Sequence, residues 1–299
     1  KATFDEEYIA IVQGNREVNT ALLKERYDII FFTGSPDLGR VVMRAAAENL
    51  TPVVLELGGK SPVVVDRTAD IKLAAKRVAW GKSLNAGQTC IAPDYLLIHS
   101  EVKEQFVEAY KNALRELLGD DASKSEHYVR MVSDKAFKRV SGYLNDGRIR
   151  CGGATNAEER YIEPTLLDQV SPDSAIMREE IFGPVLPMIE IVSTDEAINF
   201  ILQREKPLAL YVFAEQQEAE RVVNLTSSGG ACINDVIMHI ANEYMPFGGV
   251  GNSGMGRYHG RDSLYSFSHR RSVLATSTKI DLPFRYMPYR WFSYIKRLL

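Results

Sequence analysis

Metal-binding and disulfide-forming residues are scarce in this chain. Its 299 residues include five histidines and three cysteines, and the cysteines stand far apart at Cys90, Cys151 and Cys232. Three cysteines cannot all pair with one another, and neither residue type has the spacing of a zinc site. We therefore expect a protein without a bound metal, in a reducing compartment such as the cytoplasm.

Long apolar runs and a strong net charge are absent as well. No stretch approaches the ~18 consecutive apolar residues of a membrane-spanning helix. The formal net charge of −3 gives the whole chain no attraction to nucleic acid, which we do not expect as a partner. With 45% hydrophobic and 25% charged residues, the composition is that of a globular protein that can bury a core.

The order of the predicted elements indicates an α/β fold. Residues 27–33 are β-branched and aromatic, 34–37 form a turn, 38–49 have helical character, and 53–57 form the next strand. Strand, turn, helix and strand in this order are typical of a parallel sheet. A short apolar run at 6–13 predicts an earlier strand.

The later chain continues this alternation, without internal repeats or a flexible linker. We predict further helices over 17–25, 71–84, 102–118, 135–146, 195–203 and 217–226, and further strands over 95–99, 161–167 and 208–214.

Two stretches carry the candidate chemistry. Cys90 lies in a turn-prone run of small residues at 85–94, and Glu56 lies in the predicted strand 53–57. Such a cysteine is a candidate nucleophile, and a glutamate on a strand is a candidate acid or base. Taken alone, Cys90 is better explained as an ordinary buried cysteine, and Glu56 as a glutamate in a salt bridge. Together, and with their neighbours, they point to an enzyme.

The motifs around these residues resemble those of a known family. Leu-Glu-Leu-Gly-Gly-Lys at 55–60 and Gly-Gln-Thr-Cys at 87–90 are followed by Glu-Glu-Ile-Phe-Gly-Pro-Val at 179–185 and a glycine-rich run at 246–256. In this order they resemble the aldehyde dehydrogenase superfamily. Tyr-His-Gly at 258–260, followed by Phe-Ser-His-Arg-Arg at 267–271, resembles its class 3, or fatty aldehyde, branch.

The resemblance implies NAD(P)-dependent oxidation of medium- or long-chain aliphatic or aromatic aldehydes to carboxylic acids. Cys90 would attack the aldehyde carbon, and its backbone amide would help to hold the oxyanion. After hydride transfer, Glu56 would activate the water that hydrolyses the thioester. Relatives that pass the acyl group to coenzyme A generally lack a base here, so Glu56 favours hydrolysis.

The resemblance also implies where the cofactor, NAD or NADP, would bind. Gly34, Ser35 and Gly39 match a loop that contacts the pyrophosphate, where glycines and the start of a helix favour an anion. Glu180 would bind the nicotinamide ribose, and Phe182 would pack near the ring. Without the family, the same residues are better explained as a strand–helix turn, a solvated acid and a core phenylalanine.

The family fold implies a parallel-sheet catalytic domain and the C-terminal part of a Rossmann-like cofactor domain. We expect residues 1–57 to belong to the nucleotide-binding domain, 58–269 to the catalytic domain, and 270–299 to an oligomerisation or packing segment. Compared with the family, the opening strands are expected to be missing, together with an oxyanion-binding asparagine and a ribose-contacting lysine. Any targeting signal would lie in that part.

Two surface segments have expected roles as well. The family places the glycine-rich run at 246–256 in a loop that walls the substrate tunnel or packs beside it. Residues 284–299 are basic and aromatic, and Trp291, Ile295 and Leu298 share a helical face, with Leu299 beside it. This segment fits two roles equally: peripheral contact with a membrane, or packing on a partner subunit or its own catalytic domain. Dimers are expected in this branch.

Two other functions compete with the oxidoreductase. The expected missing portion would remove part of the cofactor site, which fits a truncated or degenerate member acting as a non-catalytic assembly subunit. His259 and His269 suggest a Cys–His peptidase, but no papain-like or caspase-like sequence surrounds Cys90. The enzyme that oxidises aldehydes is the favoured interpretation.

Overall fold

The computed structural model describes residues 3–289 and 292–297. The chain divides into two compact units, one ending at Phe267 and the other beginning at Ser268. The domain limits predicted from the family stay a prediction.

In the described ranges the strands are β1 Ile30–Gly34, β2 Val53–Leu57, β3 Pro62–Val65, β4 Tyr95–His99, β5 Arg148–Cys151, β6 Thr155–Asn156, β7 Tyr161–Ile162, β8 Thr165–Asp168, β9 Val185–Ile191, β10 Ala209–Phe213, β11 Gly230–Ile233 and β12 Gly254–Met255. The helices are α1 Arg16–Leu22, α2 Pro36–Ala47, α3 Ile71–Ser83, α4 Lys103–Leu118, α5 Asp134–Gly142, α6 Ala175–Arg178, α7 Thr194–Leu202, α8 Gln216–Leu225, α9 Gly260–Ser266 and α10 Phe292–Ile295.

A seven-stranded sheet organises the first unit. Its strand order is β11-β10-β3-β4-β9-β8-β5, and each neighbouring pair is parallel except β5 and β8. Val63, Val64 and Val65 of β3 are fully buried, as expected for a strand covered on both faces. Val63 and Val65 pack with Val78 of α3 in one core, whereas Val64 belongs to the core on the other face. The α/β fold is confirmed.

A second sheet carries Glu56. Its order is β1-β2-β12, with β1 parallel and β12 antiparallel to the central strand. In this register Thr33 of β1 and Gly254 of β12 both lie opposite Glu56. Helix α2 buries Val42 against Leu57 of β2. Glu56 therefore lies on a strand that is paired on both sides.

The predicted helices and strands are confirmed to within a few residues at their ends, apart from the first strand. Residues 6–13, all within the described part, contain no strand, and Tyr8 and Ile11 are exposed. An apolar run does not become a strand without a partner that pairs with it. The strand predicted at 161–167 is divided into β7 and β8, while β3, β5, β6, β9, β11 and β12 were not predicted.

Two features of the chain relate to membranes. Within the ranges that the structure covers, no helix is both long enough and apolar enough to cross a bilayer. In the segment 284–299 the helix α10 comprises four residues. Trp291, Leu298 and Leu299, which carry most of the predicted apolar face, lie outside the described residues.

Buried charges join β5, β8 and α4. Asp168 at the end of β8 is 1% exposed and accepts hydrogen bonds from Arg148 at 2.9 and 2.7 Å and from Arg150 at 2.8 Å. Lys103 lies 3.3 Å from the same carboxylate. These cations hold the pKa of Asp168 well below its usual range, with the Arg148 hydrogen bonds as the largest cause. The network ties the edge of the sheet to α4.

Replacing Asp168 with Asn should lower the free energy of unfolding by about 3 kcal/mol near neutral pH, because it removes the buried charge with which Arg148, Arg150 and Lys103 pair. Since the pKa of Asp168 is lower in the folded than in the unfolded chain, its stabilisation is full above about pH 4 and is lost as pH falls below that value. Urea denaturation at several pH values measures both effects. Asp120→Asn is the control, because Asp120 is exposed and pairs with Arg115 on the surface. A stability difference between Asp168→Asn and the native chain that stays constant down to about pH 2 would contradict this account.

Candidate active site

Glu56 is a buried carboxylate on the central strand of the second sheet. It is 3% exposed, and its Oε1 has no hydrogen-bond partner among the residues that the structure describes. Burial raises the pKa of Glu56 above its ordinary value, while the Cys90 thiol and the Thr33 hydroxyl lower it as hydrogen-bond donors. Burial is the larger effect, so the site favours the protonated form of Glu56 more than water does.

Cys90 follows a turn with unusual backbone angles. Asn85, Ala86 and Gly87 have φ values of +51°, +53° and +70°. For a non-glycine residue such as alanine, this left-handed backbone conformation costs about 1–2 kcal/mol of conformational free energy. A Cβ at Gly87 would also overlap the carbonyl oxygen of Gly183, so only glycine fits. Strained backbone of this kind is common where a structure must hold a reactive group in place.

The side chain of Gln88 fixes this turn. Its Nε2 donates to the carbonyl oxygens of Asn85 at 3.1 Å and Arg130 at 3.2 Å, and its Oε1 accepts from the Val132 amide at 2.8 Å. Asn85 in turn donates to the Gln88 carbonyl oxygen at 2.9 Å. All four polar contacts are local or reach the segment before α5. The glutamine of the Gln-Thr-Cys motif therefore has a structural role: it holds the turn that precedes Cys90.

The Cys90 side chain is half-buried and faces Glu56. Burial raises the pKa of Cys90 strongly, and the negative charge of Glu56 and the hydrogen bond to it raise it further. The backbone amide of Cys90 lowers the pKa because it donates toward the sulfur. In the structure, Cys90 is therefore a thiol with one backbone donor beside it.

Glu180 and Phe182 lie between α6 and β9, on the segment that the family motif singled out. Burial and the charge of Asp94 raise the pKa of Glu180 to about 8, although the Gly59 amide lowers it. Its Oε1 is buried and lacks a partner within the described ranges. Phe182 has φ +45° and is 38% exposed. Strand β9 begins after these residues, at Val185.

The turn after β1 opens helix α2. Ser35 is the N-cap, and its hydroxyl accepts from the Leu38 amide at 3.4 Å. Gly39 lies inside α2, where its amide bonds the Ser35 carbonyl oxygen at 2.9 Å. A Cβ on Gly39 would come within 2.8 Å of the Leu57 side chain. Packing of α2 on β2 thus accounts for a glycine at position 39.

One cavity of about 1320 Å³ brings most of these residues together. Six of the seven predicted site residues line it, while Gly39 does not; the six are Gly34, Ser35, Glu56, Cys90, Glu180 and Phe182. Charged side chains of both signs line its wall, and the cations among them include Arg40, Lys60, Arg139 and Lys206. The volume exceeds the ~300–1,000 Å³ of ordinary small-molecule pockets.

Residues outside the seven predicted site residues also lie near the site. Asn252 and Ser253 of the glycine-rich run line the cavity, and Asn252 accepts from Arg40 at 3.1 Å. Tyr258 lies close enough to Glu56 and Cys90 for their charges to raise its pKa, after burial as the main cause. Tyr258 stood in a motif that marked only the branch, and no local pattern showed that it faces the site.

Side chains that could bind a metal ion do not form a group within the described part of the chain. Among residues 3–289 and 292–297, no cluster of three or more His, Cys, Asp or Glu side chains could hold a metal ion. The expected absence of a metal stays a prediction.

Comparison with known proteins covers nearly the whole chain. The family described as "Aldehyde dehydrogenase family" matches residues 1–273. The "4,4'-diaponeurosporen-aldehyde dehydrogenase" of Staphylococcus aureus is 50% identical over 298 residues, which are 98% of this chain and 65% of that protein. The "Aldehyde dehydrogenase, dimeric NADP-preferring" of Rattus norvegicus is 50% identical over 274 residues, 91% of this chain and 60% of that protein.

A solved structure agrees with these relatives. The "Substrate bound state of Staphylococcus Aureus AldH" superposes with a TM-score of 0.95 at 50% identity, covering 99% of this chain and 66% of that one. The "Aldehyde dehydrogenase family 3 member A2" of Pongo abelii is 48% identical over 276 residues, 92% of this chain and 57% of that protein. The chain therefore spans 57% to 65% of the length of these curated relatives.

Changing Glu56 to Gln should make Cys90 react faster with iodoacetamide, because the negative charge of Glu56 raises the pKa of the thiol. A fall of one unit in that pKa gives about tenfold more thiolate and a similar gain in rate at mildly alkaline pH. Mass spectrometry of the peptide containing Cys90 measures the rate separately from those of Cys151 and Cys232.

The control for this experiment is Glu179→Gln, which removes a neighbouring carboxylate that lines the same cavity but does not contribute to the Cys90 pKa. Slower alkylation in Glu56→Gln than in the native chain would mean that Glu56 serves mainly to take the thiol proton.

Proposed function

Because the chain belongs to the aldehyde dehydrogenase family, we propose that it oxidises aldehydes to carboxylic acids with NAD or NADP. One observation carries the proposal: a half-buried thiol, Cys90, faces a buried carboxylate, Glu56, at one cavity that Glu180 also lines. Covalent catalysis requires the nucleophile and its base to lie within hydrogen-bond reach of each other. Since the chain spans less than two thirds of its curated relatives, the activity of the whole protein is part of the proposal.

Cys90 is the nucleophile. Its sulfur forms a bond with the aldehyde carbon, and the thiol proton passes to water in the cavity. The Cys90 amide, which donates toward the sulfur in the resting site, lies beside the oxygen of the adduct and stabilises its negative charge. A buried amide is effective here because it is already oriented before the charge appears.

The cavity fits a dinucleotide. Gly34 and Ser35 open α2, whose first amides favour the negative charge of a pyrophosphate. The unpartnered, buried Oε1 of Glu180 suits the hydroxyls of a ribose, and the partly exposed Phe182 offers a face to a ring. Gly39 supports this cradle by letting α2 pack on β2. When bound, the nicotinamide supplies the acceptor for the hydride that leaves the Cys90 adduct.

Glu56 is the base of the second half-reaction. The thioester on Cys90 is cleaved by a water molecule whose proton Glu56 accepts, giving the acid and restoring the thiol. Burial raises the pKa of Glu56 toward the working pH, and a base is most effective when the two are close. A buried base beside the thioester favours hydrolysis over transfer of the acyl group to another molecule.

The proposed substrates are medium- or long-chain aliphatic aldehydes and aromatic aldehydes. Near Cys90, the ring of Tyr258 contacts Phe31 at 5.0 Å and Phe247 at 5.6 Å between centroids. These rings do not line the cavity itself, but an aromatic cluster beside the nucleophile suits an apolar substrate. The relatives are named as aldehyde dehydrogenases, which supports an aldehyde as the substrate.

Assembly and location are further parts of the proposal. The relative named as dimeric supports a homodimer. The proposed location is the cytoplasm, with peripheral membrane contact through residues 284–299. In that segment Arg285, Tyr286, Met287 and Tyr289 are exposed, which suits contact with a membrane surface. Analytical ultracentrifugation with and without phosphatidylserine vesicles tests both. A monomer contradicts the first statement, and failure to sediment with vesicles contradicts the second.

Replacing Cys90 with Ser should abolish formation of reduced nicotinamide from NAD and a medium-chain aldehyde, because an alcohol is a far weaker nucleophile than a thiolate. Glu56→Gln should keep the first turnover and lose later ones, since only hydrolysis needs the base. Absorbance of the reduced cofactor and the mass of an acylated Cys90 peptide measure the two effects.

Cys151→Ser is the matched control, because Cys151 is a partly buried cysteine that does not line the cavity. Full activity of Cys90→Ser would overturn the proposal. Absence of any activity and of any acyl adduct in the native chain would favour the non-catalytic assembly subunit.

A further inference from the structure

The segment at 179–183, called here the Glu180 segment, has no helix or strand of its own, yet its main chain is held from several sides. It lies between α6 and β9, and its residue Phe182 has a φ of +45°. A non-glycine residue in this region persists only when its surroundings impose it. Three charged side chains, Lys60, Asp94 and Arg139, supply that constraint and are called here the clamp.

Lys60 holds the beginning of the Glu180 segment. Its Nζ donates to the carbonyl oxygens of Glu179 at 3.0 Å and Ile176 at 2.8 Å. The same ammonium group forms an ion pair with Asp94, and the two side chains are 14% and 4% exposed. An ammonium group has three donors, and all three are used here.

Asp94 is the link between Lys60 and the middle of the segment. Its Oδ1 pairs with Lys60, and its Oδ2 accepts from the Ile181 amide at 2.8 Å. Its own amide donates to the Ser61 carbonyl oxygen at 2.8 Å. Asp94 stands four positions after Cys90, so this one residue, through its amide and its carboxylate, links the chain after Cys90 to the start of β3 and to the Glu180 segment.

Arg139 of α5 holds the opposite side. Its Nη1 donates to the Glu180 carbonyl oxygen at 3.1 Å and its Nη2 to the Ile181 carbonyl oxygen at 2.8 Å. The main chain on both sides of the Glu180 side chain is thus fixed. By contrast, the Glu180 Oε1 has no partner in the described part of the chain. The clamp holds the backbone and leaves the carboxylate available.

We propose that Asp94 is a positioning residue for cofactor binding: through Lys60 and the Ile181 amide, it fixes the Glu180 segment so that the Glu180 carboxylate meets the cofactor ribose. This inference rests on the proposed function. A buried ion pair is often no more stable than apolar side chains of the same size, so its presence in the cavity wall is better explained by positioning.

Charges that face Glu180 allow a second readout. They come from Asp94 and Lys60, from Glu56 on β2, and from Lys82 at the end of α3. Asp94 and Glu56 raise the pKa of Glu180, whereas Lys60 lowers it. Removing the charge of Asp94 therefore lowers the pKa of Glu180, and the pH above which NAD binds well should fall. Because burial is the larger cause of the raised pKa, exposure of Glu180 would lower it as well, so a variant that loosens the segment but keeps the Asp94 charge is the necessary comparison.

Asp94→Asn is the test. Asparagine has one acceptor oxygen, so it serves either Lys60 or the Ile181 amide but not both. We expect hydrogen exchange of the 179–183 backbone to become about tenfold faster and the NAD dissociation constant to rise about tenfold, as for loss of one charge-assisted hydrogen bond. The pH profile of NAD affinity should also move to lower pH.

Two variants accompany it. Arg139→Met removes the other side of the clamp and keeps the Asp94 charge, so it should also loosen the segment and weaken NAD binding, with a smaller shift of the pH profile than Asp94→Asn. Asp168→Asn, which removes a buried, ion-paired aspartate outside the cavity, is the control for general loss of stability and should leave NAD affinity unchanged.

Unchanged exchange at 179–183 in Asp94→Asn overturns the inference, as does faster exchange without weaker NAD binding. Equal loss of NAD affinity in Asp94→Asn and Asp168→Asn also overturns it. If the native chain binds no NAD, the proposed function fails instead, and the exchange rate alone decides whether Asp94 fixes the Glu180 segment.

Discussion

The close approach of two backbones, at Gly87 and Gly183, is the constraint on which the cavity depends. The first glycine precedes Cys90 and the second follows Glu180, and a side chain at position 87 would separate them. Because these two backbones touch, the turn at 85–87 before Cys90 and the Glu180 segment form one wall of the cavity. The left-handed backbone before Cys90 and the positive φ of Phe182 both lie directly beside this contact.

Negative charge is disfavoured throughout this wall. Burial raises the pKa of Glu56, Cys90 and Glu180; Glu56 raises the pKa of both others, and Glu180 raises that of Cys90. The resting nucleophile is consequently a thiol, which oxidants and stray electrophiles attack slowly compared with a thiolate. The same burial that slows Cys90 in the resting site brings the base Glu56 closer to the working pH. One environment thus serves two opposite needs at two steps.

Sequence patterns predicted the fold well where an element is long and periodic, as in α3 and α4. They failed at 6–13, because an apolar run has the same local pattern with or without a strand to pair with. Six predicted site residues lie in one cavity, but this knowledge came from family motifs rather than from residue physics. Asp94, Arg139 and Tyr258 were not predicted because their importance arises from contacts between segments distant in the chain.

The pairing of β12 with β2 has a consequence for how the protein is made. Glu56 gains its second neighbouring strand only from Gly254, and the cavity gains Asn252 and Ser253 from the same run. Contacts this distant in sequence form late, because long loops must close first. During synthesis, Cys90 and Glu56 therefore leave the ribosome well before the residues that pair beside Glu56. The site is complete only after β12 has joined β2.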